Sequence, residues 1–498
     1  MSGAGGLSPA KRALLERALA RRRQGAAGTA AIPRRADRGP APLSFSQQRM
    51  WFLQQWEPDS PTFNGVRAIR LIGELDRQAL HAGLRRILAR HESLRTVVAG
   101  ESDPRQVVLE EWSLELPVHA LQSTEPAQRE AELKARLREL AREPFRLDRD
   151  LMLRADLFEL GSTDHVLLIR MHHIAADAHS DSVLFAELSE LYNAALEGRE
   201  PRLGELPIQY ADFAVWQRER LTGAALDELV RYWSTTLEGA PELLRLPTDL
   251  PRPAVQQHRG AHLELALERE LVAPLVELGR GEGVTFYMTM LAVFAALLYR
   301  ISGEPDVVIG SPIANRNNLE LQNLIGFFTN TLALRVRLDG NPSFRELVQR
   351  ARATALGAYA HQDMPFEKVV ETLAPRRDPS YNPLFQVNFR AQATERPALA
   401  LHGIEAAPMT VDIGFSRFDL ALELELRPDA LSGYFEYDED LFRPATVAEL
   451  VEDLEALIAG AGADPGTPIL ELRLPHGRRG AGRRASGRAI GRRSPRPS

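Results

Sequence analysis

Two adjacent histidines and an aspartate form the part of this sequence best suited to chemistry. His172 and His173 end the apolar run Val166–Met171, and Asp177 follows four residues after His173. Because side chains alternate along a strand, the two imidazoles face opposite ways, and only one can enter a given cavity. An unperturbed imidazole titrates near pH ~6.5, so it is largely neutral at pH 7 and can accept a proton. The pattern predicts a general base at the end of a buried strand.

The residues alone leave two other interpretations open. A zinc ion bound by His172, His173 and His179 is disfavoured, because neighbouring strand positions diverge and no spaced acidic or histidine cluster completes the site. We therefore expect no metal. The second alternative is a pair of hydrogen-bonded core histidines with no chemical role. For two histidines taken without their surroundings, it has the same weight as a functional role.

Several other chemistries are excluded by composition. The chain has no cysteine, which removes disulfides, thiolate metal sites and a cysteine nucleophile and is compatible with a reducing cytoplasm. None of its three lysines, Lys11, Lys134 and Lys368, follows a glycine, so there is no phosphate-binding P-loop. Neither a G-x-S-x-G nucleophile elbow nor an HExxH zinc helix occurs.

The charge is unevenly distributed along the chain. The 498 residues carry a net charge of −6, but residues 1–40 carry +7 and residues 476–498 carry +8, which leaves −21 on residues 41–475. An acidic body argues against nucleic acid as a partner, since phosphate neutralisation needs a basic face. We interpret the basic ends as solvated segments, the second being a disordered Arg-rich tail.

Helical and strand periodicities alternate through the body of the chain and predict two α/β lobes. The predicted divisions are a basic helix and linker (1–40), a first lobe (41–221), a second lobe (222–475) and the tail (476–498). The apolar stretch Phe286–Tyr299 is too short to span a bilayer, so we expect no membrane contact. The predicted helices are Ser8–Leu19, Arg77–Arg90, Ser182–Leu196, Leu271–Gly279 and Thr285–Arg300, and the predicted strands are Val66–Ile72, Val166–Met171, Val307–Ile309 and Leu332–Leu338.

The run from His172 to Asp177 resembles HHxxxDG, the active-site signature of condensation domains of nonribosomal peptide synthetases, which share their fold with chloramphenicol acetyltransferase-like enzymes. Seven further segments resemble motifs of that family and occur in the family's order, so that the resemblance covers about residues 8–475. They are residues 43–53 (LSFSQQRMWFL), 90–96 (RHESLRT), 210–217 (YADFAVWQ), 232–253 (from YW to PRP), 325–332 (IGFFTNTL), 361–368 (HQDMPFEK) and 382–387 (NPLFQV).

The resemblance implies two acyltransferase-like lobes in a V, with the active site in the tunnel between them. It implies that two peptidyl carrier proteins present thioesters on phosphopantetheine arms, and that the acceptor amine attacks the donor thioester to give an amide. It places His173 beside the reacting amine, with His172 in support, and gives Asp177 an ion pair for which Arg316 is the candidate partner. The protein itself would bind no cofactor.

The sequence departs from the family pattern next to Asp177. Ala178 stands where the family has glycine and His179 where it has a large aromatic residue, and with Ser180 these residues are expected at the tunnel junction. If the glycine position requires a positive φ, alanine costs roughly 1 kcal/mol; otherwise its methyl group narrows the junction. His179 is either a substitute polar group or a surface residue at the start of a helix.

The remaining motifs favour condensation within this family. The closing motif of epimerisation domains is absent, and the histidines are not replaced by the aspartates of heterocyclisation domains. No adenylation or carrier signature occurs, so we expect a free-standing monomer that meets donor and acceptor carriers in trans. Two alternatives are an acyltransferase that uses coenzyme A thioesters or soluble amines and alcohols, and a catalytically silent module that recruits carriers.

Overall fold

A computed structural model of the chain describes residues 31–123, 125–376, 378–393 and 398–476. The predicted helix Ser8–Leu19 and the tail from residue 477 onward lie outside these residues. The described part forms two mixed α/β lobes, each built on its own principal sheet, as the sequence predicts.

The first lobe consists of a five-stranded sheet with helices on both faces and a small three-stranded sheet beside it. Its helices are α1 (Phe45–Trp56), α2 (Arg77–Arg90), α3 (Pro126–Ala141), α4 (Ala178–Leu196) and α5 (Tyr210–Arg220), and its strands are β1 (Ala41–Pro42), β2 (Asn64–Ile72), β3 (Thr96–Ala99), β4 (Arg105–Val108), β5 (Val118–Ala120), β6 (Leu153–Glu159) and β7 (Asp164–His172). The small sheet has the order β1-β4-β3.

Strand β7 is buried on both of its faces, which explains why residues 166–169 are apolar without interruption. Leu167 and Ile169 pack into the core beneath α2 and α4. Val166 and Leu168 pack on the opposite side, against α3. The strand is antiparallel to both β2 and β6, so the histidines at its end are held in the middle of the sheet.

The second lobe is a six-stranded sheet, of order β10-β9-β11-β13-β14-β8, packed against helices. Its helices are α6 (Gly223–Leu237), α7 (Arg269–Glu282), α8 (Phe286–Ser302), α9 (Phe344–Ala360), α10 (Phe366–Leu373) and α11 (Pro444–Ala463), and its strands are β8 (Gly260–Glu268), β9 (Asp306–Ile313), β10 (Asn330–Arg337), β11 (Val387–Gln392), β13 (Leu420–Leu426) and β14 (Ala430–Asp438). Helix α8 lies in the core of this lobe, where Phe294 stacks on Phe389 of the sheet.

One strand of the second half of the chain belongs to the sheet of the first lobe. Strand β12 (Glu405–Met409) pairs antiparallel with β2, so that the five-stranded sheet has the order β12-β2-β7-β6-β5. Leu399 and Leu401, just before β12, are buried in the core of the first lobe. The division near residue 221 therefore marks a change of sheet but not a complete separation of the lobes.

Helix α4 begins four residues earlier than predicted, at Ala178, because Asp177 caps it. Helical spacing predicts that Leu184, Leu188, Leu191 and Ala195 form one buried stripe of α4, and this prediction needs one correction. Leu184, Leu188 and Leu191 are buried as expected, whereas Ala195 is exposed. Helix α2 has the predicted bounds, and the other predicted helices and strands of the described residues are present. Two bounds differ by one residue: Thr285 is the N-cap of α8 and not part of it, and β10 ends at Arg337, before Leu338.

The end of the predicted N-terminal linker packs against the first lobe. Ile32 is buried, and the backbone N–H of Arg35 donates to Asp212 Oδ1 at 3.1 Å. At the other end, the backbone N–H of His476 donates to Asp453 Oδ1 at 3.0 Å, so the first residue assigned to the tail is still attached to α11.

The described helices include none that is, by itself, long and apolar enough to cross a membrane. Helices α7 and α8 pass that test only as a pair, and their axes differ by 116°.

Candidate active site

Backbone hydrogen bonds fix both histidines where β7 ends. The N–H of His172 donates to Met152 O at 3.2 Å, and the N–H of His173 donates to Phe63 O at 2.9 Å. A short turn of residues 173–176 then leads into α4. The His172 ring packs against Phe63 and Phe145 of the first lobe, whereas the His173 ring lies 6.3 Å from that of Phe327 in the second half of the chain.

His172 is enclosed by apolar groups. Its ring meets the rings of Phe63 and Phe145 edge-on, at centroid distances of 6.2 and 5.8 Å, and 1% of the residue is exposed. Its Nδ1 accepts the backbone N–H of Ile174 at 3.1 Å, and its Nε2 is 3.4 Å from Gln54 Oε1. Burial lowers the pKa of His172 to about 3, so the ring is neutral and holds the turn in place.

His173 is only partly buried and has a free basic nitrogen. Its Nδ1 is 3.2 Å from Ala176 O. Because a carbonyl oxygen only accepts, the proton must be on Nδ1, which leaves the Nε2 lone pair available. Gly65 on the neighbouring strand lies beside the ring, and a Cβ there would be at ordinary van der Waals distance, 3.9 Å, from His173 Cε1.

The surroundings of His173 keep its imidazole neutral. Burial is the largest cause that lowers its pKa to about 3, and the positive charge of Arg417 is the second. Arg67 and Arg390 act in the same direction more weakly, whereas the hydrogen bond to Ala176 O opposes them. The group can therefore accept a hydrogen bond at pH 7, but a full positive charge on it is disfavoured.

Asp177 connects the two lobes through its carboxylate. Oδ1 accepts from the N–H and the hydroxyl of Ser180, at 2.9 and 2.8 Å, and from Arg316 Nη2 at 3.0 Å. Oδ2 accepts the backbone N–H groups of Phe328 and Thr329, at 3.0 and 3.2 Å. One carboxylate thus caps α4 of the first lobe and binds the chain of the second lobe.

The ion pair predicted between Asp177 and Arg316 is present, and both side chains are almost inaccessible. Arg316 also donates to the carbonyl oxygens of Leu321 and Leu324, and its guanidinium lies 4.3 Å from the centre of the Phe328 ring. Burial lowers the pKa of Arg316, and Asp177 opposes this shift. These contacts fold residues 321–329, here called the bridging segment, against the first lobe.

Two expectations for the residues after Asp177 are corrected. Ser180 does not border an open junction: it is fully buried, and its hydroxyl lies 3.0 Å from Gly326 O and 3.1 Å from Gly326 N. Ala178 is the first residue of α4 and has no positive φ, so the strain alternative is wrong. Its role as a steric gate stays a prediction.

His179 Nε2 lies 3.0 Å from Gln322 O, which makes it a contact to the second lobe.

The bridging segment is held by residues to which sequence reasoning gave no role. Ser93 Oγ donates to Ile325 O at 2.7 Å, and the backbone N–H of Ile325 donates to His91 Nδ1 at 3.2 Å. Tyr210 Oη donates to Phe327 O at 2.7 Å. The family-like motifs contain all of these residues, so the motifs were the available signal, but spacing alone does not show that they meet.

A further residue at the site, Arg417, was not identified from the sequence. It lies in the loop after β12, and no sequence motif marks it. Within the described ranges, no three histidine, cysteine or acidic side chains are arranged to hold a metal ion.

Comparison with known proteins identifies relatives across almost the whole body of the chain. The sequence model of the condensation domain family matches residues 37–479. A linear gramicidin synthase of Brevibacillus parabrevis is 44% identical over 438 residues, which is 87% of this chain but 6% of that protein. Phosphinothricin tripeptide synthetase PhsC of Streptomyces viridochromogenes is 42% identical over 471 residues, which is 94% of this chain and 43% of that protein. The chain spans less than half the length of these relatives.

A solved structure of similar extent shows the same fold. The X-domain from teicoplanin biosynthesis, solved in a complex with OxyB, superposes with a TM-score of 0.79 and 31% identity. The match covers 90% of this chain and 98% of that one, so the two chains agree in both lobes.

The first prediction concerns the buried ion pair. Asp177→Asn keeps the shape of the side chain but leaves the Arg316 charge unpaired, so we expect a loss of about 3–5 kcal/mol in the free energy of unfolding. Asp76→Asn is the matched control, because Asp76 caps α2 through Ala79 N but is exposed, and asparagine caps equally well. Thermal and denaturant unfolding measure both changes. Equal effects of the two substitutions would show that the Asp177 pair contributes nothing beyond capping.

A second prediction tests the gate at Ala178. Glycine at the first position of α4 should lower stability by at most about 1 kcal/mol, since a helix disfavours glycine. If the methyl group restricts the junction, Ala178→Gly should raise the rate more for bulky donors than for small ones. A series of donors of increasing size measures this, and a response independent of size would exclude the gate.

Proposed function

Because this chain belongs to the condensation domain family, we propose that it joins a donor acyl or peptidyl thioester to an acceptor amine and so forms an amide. The observation that carries the proposal is His173: its imidazole is kept neutral, Ala176 O accepts a hydrogen bond from its Nδ1–H, and its ring lies next to Phe327 of the bridging segment. Membership of the family supports an acyltransferase of the peptide-bond-forming type, and the intact Asp177–Arg316 network supports a site held ready for it.

The proposed reaction needs alignment more than activation, because a thioester is already a reactive acyl donor. The amine nitrogen attacks the thioester carbon, the C–N bond forms, and the C–S bond breaks as the thiolate leaves. His173 Nε2 accepts a hydrogen bond from the amine and orients its lone pair, then takes the proton that the new amide nitrogen loses. Holding both substrates in one site supplies up to ~7–11 kcal/mol in ideal cases.

The substrates are proposed to arrive on the phosphopantetheine arms of separate donor and acceptor carrier proteins. The protein, acting as a monomer, would then bind no cofactor of its own. The surface of α1 fits a carrier: Phe52 and Trp56, one helical turn apart, are 58% and 77% exposed. On its inner side the same helix contacts the active-site turn, where Gln47 Nε2 donates to Ile174 O at 3.2 Å. A carrier on the outer face of α1 would therefore lie next to the site.

The test of the function is direct transfer. Purified protein is mixed with a loaded donor carrier and a loaded acceptor carrier, and the masses of both carriers are followed. Gain of the donor acyl group by the acceptor carrier supports the proposal. Transfer from coenzyme A alone, or carrier binding without transfer, would contradict it.

Loss of the proposed base should lower turnover without unfolding the protein. His173→Ala removes one hydrogen bond from a partly exposed side chain, so the fold should persist, while the single-turnover rate should fall at least about 10²-fold. His81→Ala is the control, since His81 is a half-buried histidine of α2 that contacts Leu114 O at 2.7 Å. A wild-type single-turnover rate in the His173 variant would show that His173 is not the base.

The carrier surface makes a separate prediction. Truncating Phe52 or Trp56 to alanine should weaken carrier binding by about 10-fold, which is typical of an exposed aromatic anchor. Transfer from a small soluble thioester should be unaffected, because no carrier is needed. Val118→Ala removes an exposed apolar side chain from an edge strand and serves as the control. Unchanged carrier binding in both aromatic variants would move the docking surface elsewhere.

A further inference from the structure

Arg417 reaches from the second lobe to the first lobe at the active site. Its Nη2 donates to Thr62 O at 2.6 Å, and its guanidinium lies 5.2 Å from the centre of the Phe63 ring. Its own carbonyl oxygen accepts from Asn382 Nδ2 at 2.6 Å, which fixes the loop that carries it. The cation is therefore held in a defined position between the lobes.

Phe63 connects this cation to both histidines. Its carbonyl oxygen accepts the backbone N–H of His173, and its ring packs edge-on against His172. Arg417 and His173 thus contact the same residue, the former through the ring and the latter through the carbonyl oxygen. The pKa of His173 reflects this proximity, because the Arg417 charge is its second largest cause of lowering.

Among the residues that the structure describes, Arg417 forms no ion pair. Within the described residues, no carboxylate lies at ion-pairing distance from its guanidinium; Glu436 instead accepts from its backbone N–H, at 3.4 Å. The other two arginines that affect His173 are paired, Arg67 with Asp181 and Arg390 with Glu423.

An unpaired cation of this kind is costly unless an anion meets it during function. Burial lowers the pKa of Arg417, and the negative charge of Glu436 opposes this shift. Arg417 as a residue is partly exposed, which is compatible with a bound substrate reaching its guanidinium. Such a donor, fixed before the reaction, is well suited to stabilise negative charge that develops only in the transition state.

We propose that Arg417 is a catalytic residue whose guanidinium donates a hydrogen bond to the oxyanion formed on the donor carbonyl. The inference rests on the proposed amide formation. When the amine attacks, the C–N bond forms and the carbonyl π electrons move to oxygen, where the Arg417 N–H binds them. His173 Nε2 takes the proton from the ammonium nitrogen. The carbonyl then re-forms, the C–S bond breaks, and the thiolate receives the proton.

Arg417 also links the formation of the oxyanion to the protonation of His173. Before attack, Arg417 opposes protonation of His173, together with Arg67 of β2 and Arg390 of β11, while the adjacent His172 is neutral. Once the oxyanion forms, its charge offsets that of Arg417, and His173 can accept the proton. Proton transfer is thus favoured only after the C–N bond has begun to form.

The decisive experiment compares Arg417→Gln with Arg138→Gln in single-turnover transfer between loaded carriers. Arg138 also bridges the lobes, through an exposed ion pair of 2.6 Å with Asp412, but it has no contact with the histidines. We expect the Arg417 variant to transfer about 10²–10³-fold more slowly with unchanged carrier binding, and the Arg138 variant to match the wild type. Arg417→Lys keeps the charge and should restore part of the rate.

A second measurement does not depend on activity. Titration of His173 by NMR, with its resonance identified from a His173→Asn variant, should show its pKa rising in Arg417→Gln from about 3 towards the ordinary value, and staying low in Arg417→Lys. Wild-type transfer by Arg417→Gln, or an unchanged His173 pKa in it, would overturn the inference. A wild-type protein that forms no amide would overturn the proposed function instead, while the His173 titration would still decide whether the two charges interact.

Discussion

The carboxylate of Asp177 accepts five hydrogen bonds from two lobes at once, and the positions of the other site residues depend on it. A buried charge with this many donors has only one arrangement in which all of them are satisfied. The start of α4, the guanidinium of Arg316 and the backbone of the bridging segment therefore have to come together in a fixed geometry. His173 lies four residues before Asp177, and the short turn between them fixes its position relative to this network.

The contacts of the bridging segment show that several family-like motifs, although far apart in the sequence, meet in the fold. The segments around Ser44, His91, Tyr210 and Asp177 all contribute groups that bind the bridging segment or one another. Gly326 belongs to the same set, because a Cβ at that position would overlap the Tyr210 ring. These motif residues thus join the lobes, whereas His173 faces the proposed chemistry.

Local periodicity was sufficient for the parts of the fold that rest on near neighbours. Helix α2 could be predicted because Leu80, Leu84, Ile87 and Leu88 recur at helical spacing and form one buried face. The start of α4 was misplaced because capping by Asp177 overrides the stripe. Strand β12 was not predicted, since it pairs with β2 across more than three hundred residues of sequence. Arg417 escaped for the same reason: only the three-dimensional fold brings it to His173.

The crossing of β12 affects how this protein can be recombined with its relatives. A chimaera joined near residue 221 would take its first sheet from two parents, because the edge strand that pairs with β2 arrives with the second half of the chain. The same exchange would place one parent's bridging segment on the other parent's Ser93 and Tyr210. The two parents must therefore have compatible residues at the β12–β2 pairing and at the contacts of the bridging segment, however well each half suits its own substrate. Residues 399–409 and the bridging segment would have to be transplanted together with the first half for that half to remain self-consistent.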